Sequence, residues 1–232
     1  MADATLTSLE ALGAAGDEVV LIARAGQDLS EYGLTYSHLA FAVREHPTGA
    51  WTVVHKLNSC GTDSSDVYDE GLLNFFSDSP FRYQAGVWRL APSLQSRLKS
   101  ALLGQEAKTM LEPKYSLVGY PFSTRYQNSN GWVLETLAGA LSEPGALRGR
   151  AAAQAWLQGQ GYIPTELKVG AATRLGARVT KANIAFDDHP GELRWSGRIR
   201  TVTVDSITTW LGARVEGCRF AGCPEMRIVP PE

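Results

Sequence analysis

Histidine is the side chain whose ordinary pKa lets it take and return a proton near neutral pH. The chain has four, and two of them are spaced for proton transfer. His38 lies in Ser37-His38-Leu39-Ala40-Phe41-Ala42-Val43, and His55 ends Trp51-Thr52-Val53-Val54-His55. Both runs are β-rich, and the turn-prone His46-Pro47-Thr48-Gly49 joins them, so they read as an antiparallel hairpin. A direct pairing of His38 with His55 is centred near His46-Pro47 and sets the two imidazoles side by side on one face. The pair reads either as proton-transfer machinery or as cross-strand polar neighbours on a half-solvated sheet. A candidate nucleophile, Ser129, comes later, just before an apolar helical pattern over 132–141 (Val133, Leu134, Leu137, Ala138, Leu141). The first N–H groups of a helix lack partners within it, and the helix dipole is positive there, so a developing anion is favoured. A serine or asparagine at the same place also serves as an ordinary N-cap.

Other chemistry-bearing residues carry two readings each. Asp187-Asp188-His189-Pro190 groups two carboxylates and an imidazole, as a divalent-metal site would. Neighbours along an extended strand point to opposite faces, and Pro190-Gly191 marks a turn that such side chains also cap. We assign no metal ligand and no cofactor. Arg125 and Tyr126, just ahead of Ser129, are candidate contacts to a polar or acidic substrate, or loop packing. Asp28 reads as a turn cap or as support for the His38 strand. Glu135 reads as a solvent or salt-bridge residue. Cys60, close after His55, is an alternative nucleophile or an accessory thiol. Cys218 and Cys223 flank Arg-Phe-Ala-Gly and read either as a small local disulfide, which belongs to an oxidising compartment, or as two free thiols. The tryptophans are mostly core candidates.

These residues need elements to position them. Short apolar runs at 18–24, 37–44 and 51–57 read as strands, so the N-terminal third is expected to be β. Helices are expected at Asp66–Phe76, at Pro92–Leu103 (proline in the first turn, Gly104 at the stop), at Trp132–Leu141 and at Arg148–Gln158. Strands return at Ala85–Leu90 and Arg198–Val204. Hairpins with grouped helices give an α+β fold rather than a doubly wound parallel sheet.

Composition narrows the function classes. The 232 residues are 44% hydrophobic and 20% charged, enough for a real core and unlike a disordered chain. Lys plus Arg number 22 against 24 Asp plus Glu, so the basic excess of a nucleic-acid binder is missing. No apolar run reaches the ~18–20 residues of a membrane helix, so no transmembrane segment is expected. The glycine-rich phosphate loops are absent. The first residues lack the basic and apolar regions of a signal peptide.

The order of His38, His55 and then Asn128-Ser129-Asn130-Gly131-Trp132-Val133 resembles the circularly permuted papain-like hydrolases, which include NlpC/P60-like cell-wall peptidases and lecithin:retinol acyltransferase-like proteins. The resemblance covers roughly Tyr36 to Leu141. In those families a histidine on one strand and a second polar residue on the next precede a cysteine that opens a helix. The resemblance implies that Ser129 holds the nucleophile's place, that His38 is its base and that His55 orients His38. Backbone N–H groups at Ser129 and Asn130, with the Asn128 amide, are the implied oxyanion donors. The serine departs from the family's cysteine, and reads as a natural nucleophile, an engineered replacement or the mark of an inactive binding module. Nearly the whole chain also resembles an exported bacterial family known as a domain of unknown function (DUF2145-like). Ile22-Ala-Arg-Ala-Gly-Gln-Asp-Leu-Ser, Val54-His-Lys-Leu-Asn-Ser-Cys-Gly, Tyr126-Gln-Asn-Ser-Asn and Asn183-Ile-Ala-Phe-Asp-Asp-His-Pro carry that resemblance. It implies an export signal and a periplasmic location, and it supplies no activity.

The resulting expectation is one domain over 1–232, with a permuted papain-like core at 17–145 and a helix-and-strand extension at 146–232. The expected activity is hydrolysis of amide or peptide bonds, with a small-molecule or peptide substrate such as a bacterial cell-wall peptide. The alternatives are an inactive binding module of the same fold and a lipid acyl hydrolase or acyltransferase. An apolar groove beside Ser129 favours lipid; an open polar cleft favours peptide.

Overall fold

Val19–Ala25 is a run of seven buried residues, the pattern of a strand covered on both faces. It forms β1 at the centre of the computed structural model, which describes residues 1–77, 80–170 and 182–229. β2 (His38–His46) and β3 (Gly49–Asn58) form the expected hairpin. β4 (Ser65–Glu70) and β5 (Arg82–Arg89) follow. With the late strand β8 (Met226–Ile228) they build a six-stranded antiparallel sheet in the order β4-β3-β2-β1-β5-β8.

Alternation along the strands divides the core in two. Val20, Ile22, Ala40, Ala42 and Val53 face α1 (Ala2–Ala14) and α2 (Leu72–Ser77), with Leu9, Leu12 and Phe75. Leu21, Leu39, Phe41 and Val54 face α3 (Pro92–Leu103) and α4 (Ser129–Leu141), with Leu98, Trp132 and Leu137. α3 starts on its proline and stops before Gly104, as expected. α5 (Arg150–Gly159) packs on α4. A two-stranded sheet, β6 (Thr165–Lys168) with β7 (Arg198–Thr201), follows. The short α6 (Gly191–Trp195) leads into β7, and α7 (Val204–Gly212) starts at a capping box of Thr203 and Ser206. Ala153, Leu157, Val202, Val204, Ile207 and Leu211 join the α4-side core, so the described part of 146–232 packs on the same core as 17–145.

The fold is thus α+β, with local corrections to the expected elements; the strand expected at Arg198–Val204 ends at Thr201, and Val204 opens α7. The N-terminal third is not only β: α1 precedes β1. The helix expected at 66–76 is a strand through Glu70 and a helix only from Leu72; the Asp66-Val67-Tyr68 stretch finds ladder partners on β3, which local propensity does not register. The hairpin is centred one residue later than expected, because His46 pairs with Gly49 around Pro47-Thr48. Phe41 therefore faces Val54, and His38 and His55 meet on the diagonal.

Candidate active site

The hairpin brings His38 and His55 together on the α2-facing side, where both rings pack on Phe75. His38 Nε2 and His55 Nδ1 are 2.9 Å apart, and His55 Nε2 is 3.2 Å from Glu70 Oε2 on β4. With His55 neutral, the Glu70 carboxylate, which only accepts, puts the His55 proton on Nε2 and leaves Nδ1 as a lone pair. His38 must then donate from Nε2, which leaves His38 Nδ1 bare. That nitrogen has no hydrogen-bond partner among the described residues. Burial, the neighbouring His55 and the Arg24 guanidinium hold the pKa of His38 well below the usual histidine range. His38 is therefore a neutral base at pH 7.

Ser129 opens α4 on the other side of the sheet. Asn128 is the N-cap: its Oδ1 accepts the Gly131 N–H at 2.7 Å. The Asn128 amide protons go to Leu117 O, Thr201 Oγ1 and Val202 O, at 3.0–3.2 Å. Asn130 stitches the helix to β2, accepting the Leu39 N–H at 2.9 Å and donating to Ser37 O and Val202 O. Both asparagine side chains are thus structural ties. Ser129 Oγ is 3.4 Å from the Tyr115 hydroxyl, and no hydrogen bond joins it to His38.

The two halves meet at the end of the sheet where β1 and β3 finish and β2 begins. A cavity of about 420 Å³ there is lined by His38, Ser129, Asn130 and Tyr115. Its remaining wall is mostly apolar, including Leu57, Leu117, Ile184, Phe186, Leu167 and Val202. The late segments of the chain supply four of those six side chains.

A buried polar network sits behind the serine. Lys56, next to His55 on β3 and therefore on the opposite face, donates to Glu112 O, Gln127 O and Gln127 Oε1 at 2.7–3.0 Å. Burial, reinforced by the Arg150 charge, pulls its amine down to about 7. Gln127 Nε2 donates to Met110 O and to Glu135. Arg150 pairs with Glu135 at 2.8 Å and donates to Thr124 O and Tyr126 O. Burial raises the Glu135 carboxyl above its usual range, against the opposing pull of Arg150. The network holds residues 123–127 and so sets where α4 begins.

Arg125 and Tyr126 are not among the residues that line this cavity. Arg125 pairs with Asp187 at 2.8 Å and lies over the Tyr126 ring. Asp188 accepts the Tyr120 N–H and faces His189 Nδ1, while His189 Nε2 meets Arg200 O. These side chains fasten 183–189 to the 117–126 loop and β7, which closes one wall of the cavity. No group of three metal-ligating side chains occurs among the described residues. Asp28 caps Ser30. Cys60 is an exposed free thiol, and Cys218 and Cys223 form a disulfide.

Sequence reasoning missed Glu70, Tyr115 and Lys56. Glu70 lies in a stretch with helical character, and Tyr115 lies in irregular chain without periodicity. Lys56 does leave a signal, a lysine inside the apolar run Val-Val-His-Lys-Leu.

Among the described residues no helix is long and apolar enough to cross a membrane. No curated protein and no solved structure matches the chain. One family model does match, over residues 11–211, and its description is an uncharacterised protein conserved in bacteria. The chain belongs to that family, DUF2145.

Proposed function

We propose that the protein is an acyl hydrolase with Ser129 as nucleophile and His38 as base, acting on a substrate that carries an apolar group. One observation carries this reading: His38, joined through His55 to Glu70, lines the same cavity as Ser129. Ser129 Oγ turns from Tyr115 toward His38 as substrate fills the cavity, and bonds to the acyl carbon. Its proton passes to His38 Nδ1, and the resulting imidazolium is stabilised through His55 by Glu70. The leaving group departs with that proton. Water then cleaves the acyl-serine by the same base. The apolar lining favours an acyl chain over the open polar cleft that a cell-wall peptide would need. The permuted papain-like arrangement and an exported, oxidising location are parts of the same proposal. The His-His-Ser order and α4 packed on the sheet support the first, and the disulfide supports the second.

An inactive binding module is the second reading. It is favoured by the Ser129 side chain, which among the described residues bonds to Tyr115 and not to His38. A fluorophosphonate probe separates the two. Labelling of the protein that is lost in both Ser129→Ala and His38→Ala supports the hydrolase. No labelling, with Ser129→Cys also inert to a thiol probe, favours the binding module.

A further inference from the structure

We propose that Tyr115 is a catalytic residue whose phenolic O–H stabilises the oxyanion formed when Ser129 attacks its substrate. The inference rests on the hydrolase reading and adds a residue to it.

A serine acyl transfer needs donors fixed in advance where negative charge will develop. The carbonyl oxygen of the tetrahedral intermediate is two bonds from Ser129 Oγ, so its donors must lie close to that atom. The asparagines beside Ser129 do not fill the role, because the amide protons of Asn128 and Asn130 are held by backbone and Thr201 oxygens. At the start of α4 the Gly131 N–H is taken by Asn128 Oδ1, and the Ser129 N–H bonds to the Tyr115 phenolic oxygen, which places this phenol where the oxyanion donors must lie. Tyr115 lines the cavity and sets its hydroxyl 3.4 Å from Ser129 Oγ.

Three features suit this phenol to the task. Burial raises its pKa, so the proton to be donated is present at neutral pH. The residue is 5% exposed, and its backbone N–H is tied to Asp63 O at 2.6 Å. Lys56 Nζ lies 5.5 Å from the ring centroid and is itself anchored by three oxygen acceptors. The donor is thus held in place before substrate arrives, which is where electrostatic stabilisation gains its strength.

The step balances without a further reactant. Ser129 Oγ bonds to the acyl carbon, its proton goes to His38 Nδ1, and the carbonyl π pair moves onto oxygen. That oxygen accepts the Tyr115 O–H hydrogen bond with no proton transfer. Collapse restores the carbonyl and breaks the bond to the leaving group, which takes the proton from His38.

The test measures the rate of fluorophosphonate labelling at Ser129 in the protein and in Tyr115→Phe. The phosphonyl oxygen occupies the oxyanion position, and phenylalanine keeps the ring. Labelling should slow by about 10²–10³-fold in the variant. Alkylation by iodoacetamide forms no oxyanion, so its rate in Ser129→Cys should be unchanged by adding Tyr115→Phe, whereas a merely structural loss would depress both reactions. Tyr115 replaced by 3,5-difluorotyrosine keeps the packing if phenylalanine does not. Its more acidic phenol should lose its proton, and labelling should fall, at lower pH than in the unmodified protein. A Tyr115→Phe rate close to that of the starting protein, or a pH profile unmoved by fluorination, overturns the inference and leaves the hydrolase reading standing. No labelling of Ser129 in the starting protein overturns both.

Discussion

Glu70→Gln keeps the shape of the side chain and removes the charge that orders the imidazole row. Its effect can be bounded from the geometry. The 3.2 Å and 2.9 Å hydrogen bonds, with one ring between them, put Glu70 and His38 about 8 Å apart. At that distance an effective dielectric constant of about 20 gives about 2 kcal/mol between the carboxylate and an imidazolium on His38. The Glu70 side chain is 26% exposed, and solvent screening lowers this to about 1 kcal/mol. The charge alone is therefore worth roughly five- to thirty-fold in the step that protonates His38. Glutamine adds a second effect, because its amide can donate to His55 Nε2. That reverses the row, puts a proton on His38 Nδ1 and disarms the base, a loss that reaches about 10⁴-fold where a catalytic histidine is held in the wrong tautomer. Fluorophosphonate labelling of Ser129 should slow at least about fivefold in Glu70→Gln, measured at one pH. Nitrogen-15 spectra of the imidazoles supply an independent readout, with His38 protonated on Nε2 and bare on Nδ1 in the starting protein. An unchanged labelling rate, or a starting protein whose His38 proton sits on Nδ1, refutes the reasoning.

Two further predictions concern stability. Lys56 holds its proton up to about 10.5 when unfolded but only to about 7 when folded, so between those pH values the unfolded chain binds more protons and stability rises with pH, by about 1.4 kcal/mol per unit from this group. Urea unfolding of the protein and of Lys56→Met at pH 7 and pH 9 should show the difference between them move by about 2–3 kcal/mol in favour of the lysine; a constant difference means that the three oxygen acceptors hold the ammonium despite its burial. Cys218 and Cys223 close a loop with a sequence separation of 5, and the chain-entropy model gives such a loop about 2 kcal/mol. Cys218→Ser should lower unfolding stability by about that amount, and adding a reductant should then change the variant little; a variant as stable as the oxidised protein refutes it.

Pairs close along the chain are legible in the sequence. The His38–His55 pair rests on a hairpin whose turn residues and alternating strands are local, and a one-residue shift of its centre moves the contact to the diagonal without breaking it. The helix opening at Ser129 is equally local: Asn128 caps it and the apolar face follows. The turn cap of Asp28 on Ser30 and the Cys218–Cys223 bridge close over a few residues and belong to the same class. The short strand at Ser65–Glu70 is not legible, because it is held by its ladder to β3 more than by its own propensity, and Glu70 is lost with it.

By itself, then, the sequence determined the residue types available for chemistry and the local frames that present them, since backbone propensity, caps and turns act over a few residues. The tertiary structure decided what those residues face. Leu39 and Asn130, 91 residues apart, must hydrogen-bond before the serine end of α4 meets the histidine end of β2. Leu167, Ile184, Phe186 and Val202 must fold back before the cavity has a wall, and Tyr115 becomes a neighbour of Ser129 only once the irregular segment that carries it is pinned by buried Lys56 and Gln127. Such contacts depend on burial, and on satisfying polar groups across distant segments. These are properties of the packed chain that no short window of residues carries.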